Sequence, residues 1–187
     1  MEAKFVPGSD FEWIIDAYHD KIFRSASMLL MNRHEAEDLT QDVFLAAIKS
    51  YGRFRGDSSV YTWLYKIMLN LFRKRRSRNR LLQWSFNNGD GQAEDFQVLF
   101  ADTADAPDEV AQRIERSRRI ADVLKHLSAK HREVVLLRFY EDKSYREIAD
   151  IVGCSEGTVK SRLHHALKQT GGRLQDLRPV GNSEHSP

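Results

Sequence analysis

A dense basic run lies in the first half of the chain. Between Arg73 and Arg80 the sequence places six Lys or Arg residues within eight positions. Tyr61, Tyr65 and Asn70 precede this run on the less apolar side of the same predicted helix. Basic side chains neutralise phosphates, whereas aromatic rings stack on exposed bases. The combination favours binding to single-stranded or partly opened nucleic acid over a helix end that is merely solvated.

A second polar surface is predicted on the helix that follows Ser155. Short polar and histidine side chains occupy the side opposite its apolar stripe, and two basic residues flank them. Short polar side chains can reach base edges, whereas Lys and Arg can reach phosphates. This surface consists of Gly157, Ser161, His164, His165 and Lys168, flanked by Lys160 and Arg162. The pattern favours a DNA-reading helix over a helical hairpin with a solvated face.

An acidic, amide-bearing patch lies near the start of another predicted helix. Its members are Glu37, Asp38, Gln41 and Asp42. Carboxylates near a helix N-terminus also complement the helix dipole. The spacing alone therefore leaves two interpretations open, a partner-binding patch and a solvated helix start.

The residues that could support catalysis or bind metal lack the necessary spacing. The seven histidines and the single cysteine, Cys154, form no H-E-x-x-H or C-x-x-C motif, and no phosphate-binding glycine loop is present. The sequence therefore predicts no enzyme and no cofactor. One cysteine excludes an internal disulfide and fits a reducing cytoplasm. The sequence contains no run of about 18 apolar residues, so it predicts no membrane span.

Two short helices around a tight turn would position the DNA-reading side chains. Ser144 and Glu147 form a capping box that starts the first helix, and Gly153 is suited to end it. Ser155 then caps the second helix. The small residues Ala149 and Gly153 are expected where the two helices touch. Together these features match the helix-turn-helix pattern.

Three earlier helices are predicted from apolar spacings of three and four residues. The first ends at Asn32, which is suited to a left-handed cap. The second spans about Glu35–Tyr51, with Ile48 facing inward. The third follows a polar loop at Phe54–Ser59. Its expected buried stripe is Val60, Trp63, Leu64, Ile67, Met68 and Leu71.

Charge divides the chain into blocks. The net charge over 187 residues is only +2, yet Trp84–Asp108 holds six acidic residues and no Lys or Arg. The flanking segments are both basic, which suggests two nucleic-acid-facing domains. We therefore predict an all-α protein with two small helical domains joined by a flexible acidic linker. The expected limits are 1–83, a linker at 84–106, a second domain at 107–177 and a disordered tail at 178–187.

Three stretches together resemble the extracytoplasmic-function (ECF) sigma factors of bacterial RNA polymerase, a group of the sigma-70 family. They are Ala36–Leu45, Phe54–Asn70 and Leu127–Lys168, in this order. The resemblance implies that the first domain is sigma domain 2 and the second is sigma domain 4. It implies a chain that binds core polymerase, directs it to promoters and helps melt the −10 region. The middle domain of larger sigma factors is not expected.

The resemblance also implies roles for individual residues. Within the acidic patch, Asp38, Gln41 and Asp42 would bind the clamp helices of the polymerase. The −10 element, with one base flipped out of the stack, would be read by Arg55, Gly56, Asp57, Ser58, Ser59, Asn70, Arg73, Lys74, Arg75 and Arg76. The −35 element would be read as duplex by Ser155, Glu156, Gly157, Thr158, Lys160, Ser161, Arg162, His164, His165 and Lys168.

Further partners follow from the same resemblance. An inhibitory anti-sigma factor would cover the polymerase-facing surfaces, and the acidic linker would run toward the RNA exit path. The alternative interpretation is a stand-alone helix-turn-helix regulator that binds duplex operator DNA. That alternative explains the region around Ser155 but gives no role to the basic run or the acidic patch.

Overall fold

The computed structural model describes residues 9–82, 119 and 122–171. The chain divides into two units, Met1–Gln92 and Ala93–Pro187. Every regular element in the described residues is helical, which confirms the all-α prediction. The linker expected at 84–106 and the tail expected at 178–187 lie outside the described residues, so the proposed domain limits stay predictions.

Three helices build the first unit. They are α1 (Ser9–Leu30), α2 (Arg33–Ser50) and α3 (Val60–Leu82), and a 3₁₀ turn at Tyr51–Arg53 follows α2. Helix α2 packs against both α1 and α3. Fully buried apolar side chains from all three helices form the core, among them Ile14, Ile22, Met28, Leu29, Leu39, Val43, Leu64, Met68 and Leu69.

The turn between α1 and α2 differs from the prediction for Asn32. Met31 takes the left-handed conformation, with φ of 56°. Asn32 is extended, with φ of −146°, and is the N-cap of α2. Its side-chain oxygen accepts a hydrogen bond from the Glu35 amide at 3.0 Å. The prediction of a left-handed Asn32 was wrong because this side chain starts the next helix instead of ending the previous one.

The buried face of α3 is rotated relative to the predicted stripe. Val60, Trp63, Ile67 and Leu71 are only half-buried, whereas Tyr65, expected on the opposite side, is 1% exposed. Helix α3 contacts both α1 and α2 and therefore buries a broad face. The residues of α3 that are buried are Leu64, Tyr65, Met68, Leu69 and Phe72.

The second unit ends in the predicted pair of short helices. Residues 122–125 are helical, and α4 (Ala129–Val135) is followed by a π-helical turn at Leu136–Tyr140. Two further helices are α5 (Tyr145–Val152) and α6 (Glu156–Gln169). Helix α6 packs against α4 and α5. Buried apolar side chains here include Leu124, Val134, Val135, Leu136, Leu137, Ile148, Ile151, Val159, Leu163 and Ala166.

A wide turn links α4 to α5. The Glu141 amide donates to the Leu136 carbonyl at 3.1 Å, and the Lys143 amide donates to the Leu137 carbonyl at 2.9 Å. These bonds span five and six residues, which is wider than the α-helical spacing of four. Asp142 has a φ of 49° within this turn. The turn thus ends the helical segment and directs the chain into α5.

No helix in the ranges 9–82 and 122–171 combines the length and the hydropathy that a membrane span requires.

Candidate nucleic-acid and protein interfaces

The acidic patch lies on the outer face of α2. Asp38 and Gln41 are exposed, and the Asp42 side chain retains 47% of its accessible surface. Leu39 lies between them in sequence, Val43 directly follows Asp42, and both are fully buried. Because α-helical neighbours on one face are three or four residues apart, the three polar residues share one surface. Glu37, the fourth member of the predicted patch, is half-buried and its carboxylate accepts a hydrogen bond from the Arg33 guanidinium at 3.0 Å. The structure therefore brings Asp38, Gln41 and Asp42 together on one surface of α2.

Two aliphatic residues extend this face. Leu45 is 56% exposed and Ile48 is 51% exposed. They follow Gln41 by four and seven positions, which places them on the same side of α2. The prediction that Ile48 faces inward was wrong, and Leu45 was not singled out. The spacing of Leu45 and Ile48 from Gln41 could have predicted their exposure, because the side of α2 that carries the acidic patch cannot also be its buried side.

Arg75 connects the basic run to the acidic patch. Its Nη2 atom donates to a carboxylate oxygen of Asp42 and to the Asp38 carbonyl at 3.0 Å. Its Nη1 atom donates to the Glu35 carbonyl at 3.4 Å. The structure thus places Arg75 against α2, although the sequence grouped it with the candidate phosphate-binding residues.

The remaining basic residues of α3 and Asn70 have a different environment. Asn70, Lys74 and Arg76 are exposed, whereas Arg73 is half-buried. Asn70 and Lys74 are one helical turn apart, on the side of α3 opposite the buried Met68 and Phe72. An amide and an ammonium group therefore face solvent together, an arrangement that suits simultaneous contact with a base edge and a phosphate.

The polar loop before α3 rests on a group of aromatic rings. The Phe54 ring lies 4.8 Å from the Trp63 ring between centroids, and Tyr51 contacts both of them. Phe11 of α1 packs edge-on against Tyr51 at 5.5 Å. Trp63 was expected to be part of the core, and it forms a half-buried support for the loop. Both ends of the loop are thereby fixed to the helices.

The tip of this loop is open to solvent. Arg55 and Asp57 are paired at 3.7 Å, yet each side chain is more than 80% exposed. Gly56 between them has a φ of 76°. Ser59 ends the loop, and its hydroxyl accepts a hydrogen bond from the Thr62 amide at 3.2 Å, which caps the start of α3. The candidate residues at 55–57 are therefore accessible, whereas the Ser59 hydroxyl has a structural role.

The turn between α5 and α6 follows the prediction closely. The Ser144 hydroxyl accepts from the Glu147 amide, and the Glu147 carboxylate accepts from the Ser144 amide at 2.8 Å. The Ser144 amide, the Ser144 hydroxyl and Lys143 all lower the pKa of Glu147. Gly153 has a φ of 74°. The Ser155 hydroxyl accepts from the Thr158 amide at 3.2 Å and so caps α6.

Gly153 corrects one detail of that prediction. A Cβ atom built on Gly153 would have no neighbour within 4 Å. The glycine is therefore required by its backbone conformation and not by close approach of the two helices. Ala149 is 7% exposed, and Val159 fills the helix interface with no exposure.

The outer face of α6 displays most of the predicted DNA-reading residues. Val159, Leu163 and Ala166 anchor the opposite side in the core. Thr158 and Arg162 are half-buried, and the Thr158 hydroxyl lies 2.9 Å from that of Ser155. The exposed candidates are Ser155, Glu156, Gly157, Lys160, Ser161, His164, His165 and Lys168.

Two contacts beside α6 were not predicted. The Tyr145 ring has the Arg138 guanidinium 5.4 Å and the Lys160 ammonium 5.7 Å from its centroid, an arrangement typical of cation–π contacts. The His131 ring stacks on His165 with a centroid distance of 6.3 Å. Burial is the main cause that lowers the pKa of His131 below its ordinary value. Tyr145 and Lys160 are 15 positions apart and His131 and His165 are 34 apart, so no local pattern signals these two contacts.

Comparison with known families covers both units. Residues 14–81 match the family model described as sigma-70 region 2. Residues 110–169 match the model described as sigma-70, region 4. The RNA polymerase sigma-H factor of Pseudomonas aeruginosa is 31% identical over 89% of this chain and 87% of its own length.

The chain belongs to the ECF group of the sigma-70 family. It directs the initiation of transcription. The ECF RNA polymerase sigma factor SigX of Bacillus subtilis is 30% identical to this sigma factor, over 90% of this chain and 85% of its own length. The sigma factor RpoE of Bartonella quintana, solved in complex with the anti-sigma factor NepR, shares 26% identity and a TM-score of 0.65, covering 89% of this chain and 98% of its own.

Proposed function

We propose that this sigma factor docks on core RNA polymerase through the exposed face of α2. Asp38, Gln41 and Asp42 supply the polar contacts, and Leu45 and Ile48 extend the contact with apolar area. The observation that carries the proposal is the continuity of this face, where exposed acidic and aliphatic residues share one side of a helix whose other side is core. A mixed face of this kind suits a partner with basic and apolar residues.

We infer that α3 and the loop before it capture the opened −10 strand. Extruding a base from the stack costs a few kcal/mol, so a binding site must compensate through stacking and edge hydrogen bonds. Asn70 and the loop tip at 55–57 are exposed for that purpose. Arg73, Lys74 and Arg76 would neutralise the adjacent phosphates. The free energy for melting the −10 region would then come from binding alone, and no catalytic site is needed.

Helix α6 is proposed to enter the major groove of the −35 element. Ser161 and His164 lie on its exposed face, and their polar side chains can form hydrogen bonds with base edges when the helix lies in the groove. Lys160 and Lys168 would contact phosphates on either side of the groove. Ser155 and Thr158 hold the helix start through their mutual cap, so their side chains have a structural role first.

An anti-sigma factor is a further proposed partner. The Bartonella quintana relative was solved with such an inhibitor, and the α2 face is the surface that an inhibitor would need to cover. Polymerase and promoter DNA are both cytoplasmic in bacteria, so the proposed site of action is the cytoplasm.

The docking proposal is tested by charge reversal on α2. The variant Asp38→Lys should weaken binding of the full chain to core polymerase about tenfold or more, because a like charge would face the partner's basic groups. Glu12→Lys is the matched control, since it makes the same charge change at an exposed position on α1. Equilibrium binding to fluorescently labelled core polymerase is the measurement. Equal affinities for both variants would refute the α2 assignment.

Promoter-dependent transcription separates the proposed function from that of a stand-alone regulator. The full chain added to core polymerase should produce transcripts that start at a defined distance from a −10 and −35 pair. A regulator that binds only duplex operators would add no new start site.

A further inference from the structure

Arg75 differs from its basic neighbours in where its side chain lies. It follows Met68 by seven positions and Phe72 by three, and both of those residues are buried. This spacing puts Arg75 on the side of α3 that faces the core. Its side chain is 31% exposed, whereas Lys74 and Arg76 on either side are exposed residues.

The guanidinium of Arg75 is occupied by acceptors on α2. Two of them are the main-chain carbonyl oxygens of Glu35 and Asp38, and the third is the Asp42 carboxylate. A planar guanidinium can serve several acceptors at once, and bonds between charged groups are stronger than neutral ones. To bind a phosphate, the Arg75 guanidinium would have to give up all three of these contacts.

We propose that Arg75 is a positioning residue for the polymerase-docking face and not a phosphate-binding residue. The proposal rests on the docking function assigned above to α2. Arg75 fixes the Asp42 carboxylate in one orientation and fastens the start of α2 to α3. A side chain that is already ordered loses less conformational entropy when a partner binds, so the tie favours association.

Two measurements on the full chain distinguish the two roles of Arg75. The first is the affinity for core polymerase. The second is the salt dependence of promoter binding by polymerase saturated with the sigma factor. Each phosphate contact contributes about 0.7 to 0.9 to the slope of log affinity against log salt.

The test compares Arg75→Gln with the matched neighbour variant Arg76→Gln. We expect Arg75→Gln to weaken polymerase binding about three- to tenfold, the range of the net contribution of an ordinary hydrogen bond, because the effect on binding is indirect, and to leave the salt slope unchanged. Arg76→Gln should leave polymerase affinity unchanged and reduce the slope by about 0.7 to 0.9. A slope reduction in Arg75→Gln equal to that in Arg76→Gln would overturn the proposal, as would unchanged polymerase affinity.

A double-mutant cycle excludes a general loss of structure. In an Asp42→Asn background, Arg75→Gln should reduce polymerase affinity by a smaller factor than in the wild type, because the carboxylate to be positioned is already gone. The same reduction in both backgrounds would refute positioning of Asp42. Arg75→Lys should restore the charge but little of the affinity, because an ammonium group cannot replace the guanidinium fork.

Comparing Asp38→Lys with Arg75→Gln distinguishes an error in the docking face from an error in the role of Arg75. If Asp38→Lys and Arg75→Gln both leave polymerase affinity unchanged, the docking face itself is wrong. If Asp38→Lys weakens binding and Arg75→Gln does not, only the role of Arg75 is wrong.

Discussion

Two glycines near the helix-turn-helix have different structural roles. Gly153 has a φ of 74° and ends α5, while Gly157 lies within α6. Neither position is crowded, since an added Cβ would meet nothing at Gly153 and only the Ser155 hydroxyl at 3.8 Å at Gly157. Backbone conformation alone therefore decides the effect of an alanine at each position.

Alanine substitutions at these glycines should have opposite signs. Gly153→Ala should destabilise the second unit by about 1–2 kcal/mol, the cost of a left-handed residue with a side chain. Gly157→Ala should stabilise it by about 0.5–1 kcal/mol, because alanine is the better helix former. Amide hydrogen exchange in α5 and α6 measures both effects. Destabilisation by both variants would show that packing, and not φ, governs these positions.

Asn70 allows a residue-level test of base capture. Asn70→Ala should reduce promoter opening about tenfold while initial duplex binding changes little, because the amide is proposed to bind only an extruded base. Permanganate reactivity of unpaired thymines measures opening, and anisotropy of labelled duplex measures binding. Asp16→Ala, at an exposed position on α1, is the control. An equal loss at both stages would assign Asn70 a role in structure or in general DNA binding.

The helices differ in how far local sequence determines them. The turn between α5 and α6 was predicted correctly because Ser144, Glu147, Gly153 and Ser155 each act on their own backbone or on residues three or four positions away. Such local hydrogen bonds leave a clear signature in sequence.

Features that depend on tertiary packing were predicted less well. The buried face of α3 includes Tyr65, because α3 contacts two neighbouring helices and tyrosine can bury its ring in such a position. Ile48 was expected inside because it is aliphatic, yet the α2 face it shares with Gln41 is solvent-facing. The spacing of Asp38, Gln41 and Asp42 predicted that they share one face of α2, whereas the inward position of Arg75 was missed even though its spacing from Met68 indicated it.

The capping box of α5 should make a measurable, pH-dependent contribution. Ser144→Ala removes the hydroxyl that accepts from the Glu147 amide and should cost about 1 kcal/mol near neutral pH. Ser161→Ala, on the exposed face of α6, should be close to neutral. Hydrogen exchange of the α5 amides is again the measurement. A loss in both variants of the same size would argue against a specific cap.

The pH dependence follows from the lowered pKa of Glu147. The unfolded state binds a proton more readily than the folded state, so the stabilising contribution is present above the ordinary value of 4.5. It is lost as the pH falls through the lower folded-state value. The difference between wild type and Ser144→Ala should therefore shrink in acid. A difference that is constant with pH would show that Glu147 takes no part.

Across the whole chain, the two proposed DNA-reading surfaces lie in separate units. Helix α3 belongs to the first unit and α6 to the second. Tethered sites that bind one DNA molecule reinforce each other through effective concentration. The contribution of each surface should therefore depend on its own promoter element.

Promoter variants can test this division. Ser161→Glu should weaken binding to a complete promoter strongly, because a carboxylate would enter the major groove near phosphates. The same variant should have little effect on a promoter whose −35 element is scrambled. Lys74→Glu should weaken binding to both promoters by similar factors. Loss of the Lys74→Glu effect on the scrambled promoter would contradict the assignment of α3 to the −10 element.

The half-exposed Leu45 and Ile48 on α2 have a consequence for handling the purified protein. Aliphatic area in water costs about 25 cal/mol for each Å², so two such side chains on one helix favour self-association whenever no other molecule shields them. Concentrated stocks should form reversible clusters that dissolve on dilution, and co-expression with a natural binding protein should raise the yield of monodisperse material. Replacing both Leu45 and Ile48 with glutamine should abolish this self-association. The same double variant should also bind core polymerase more weakly.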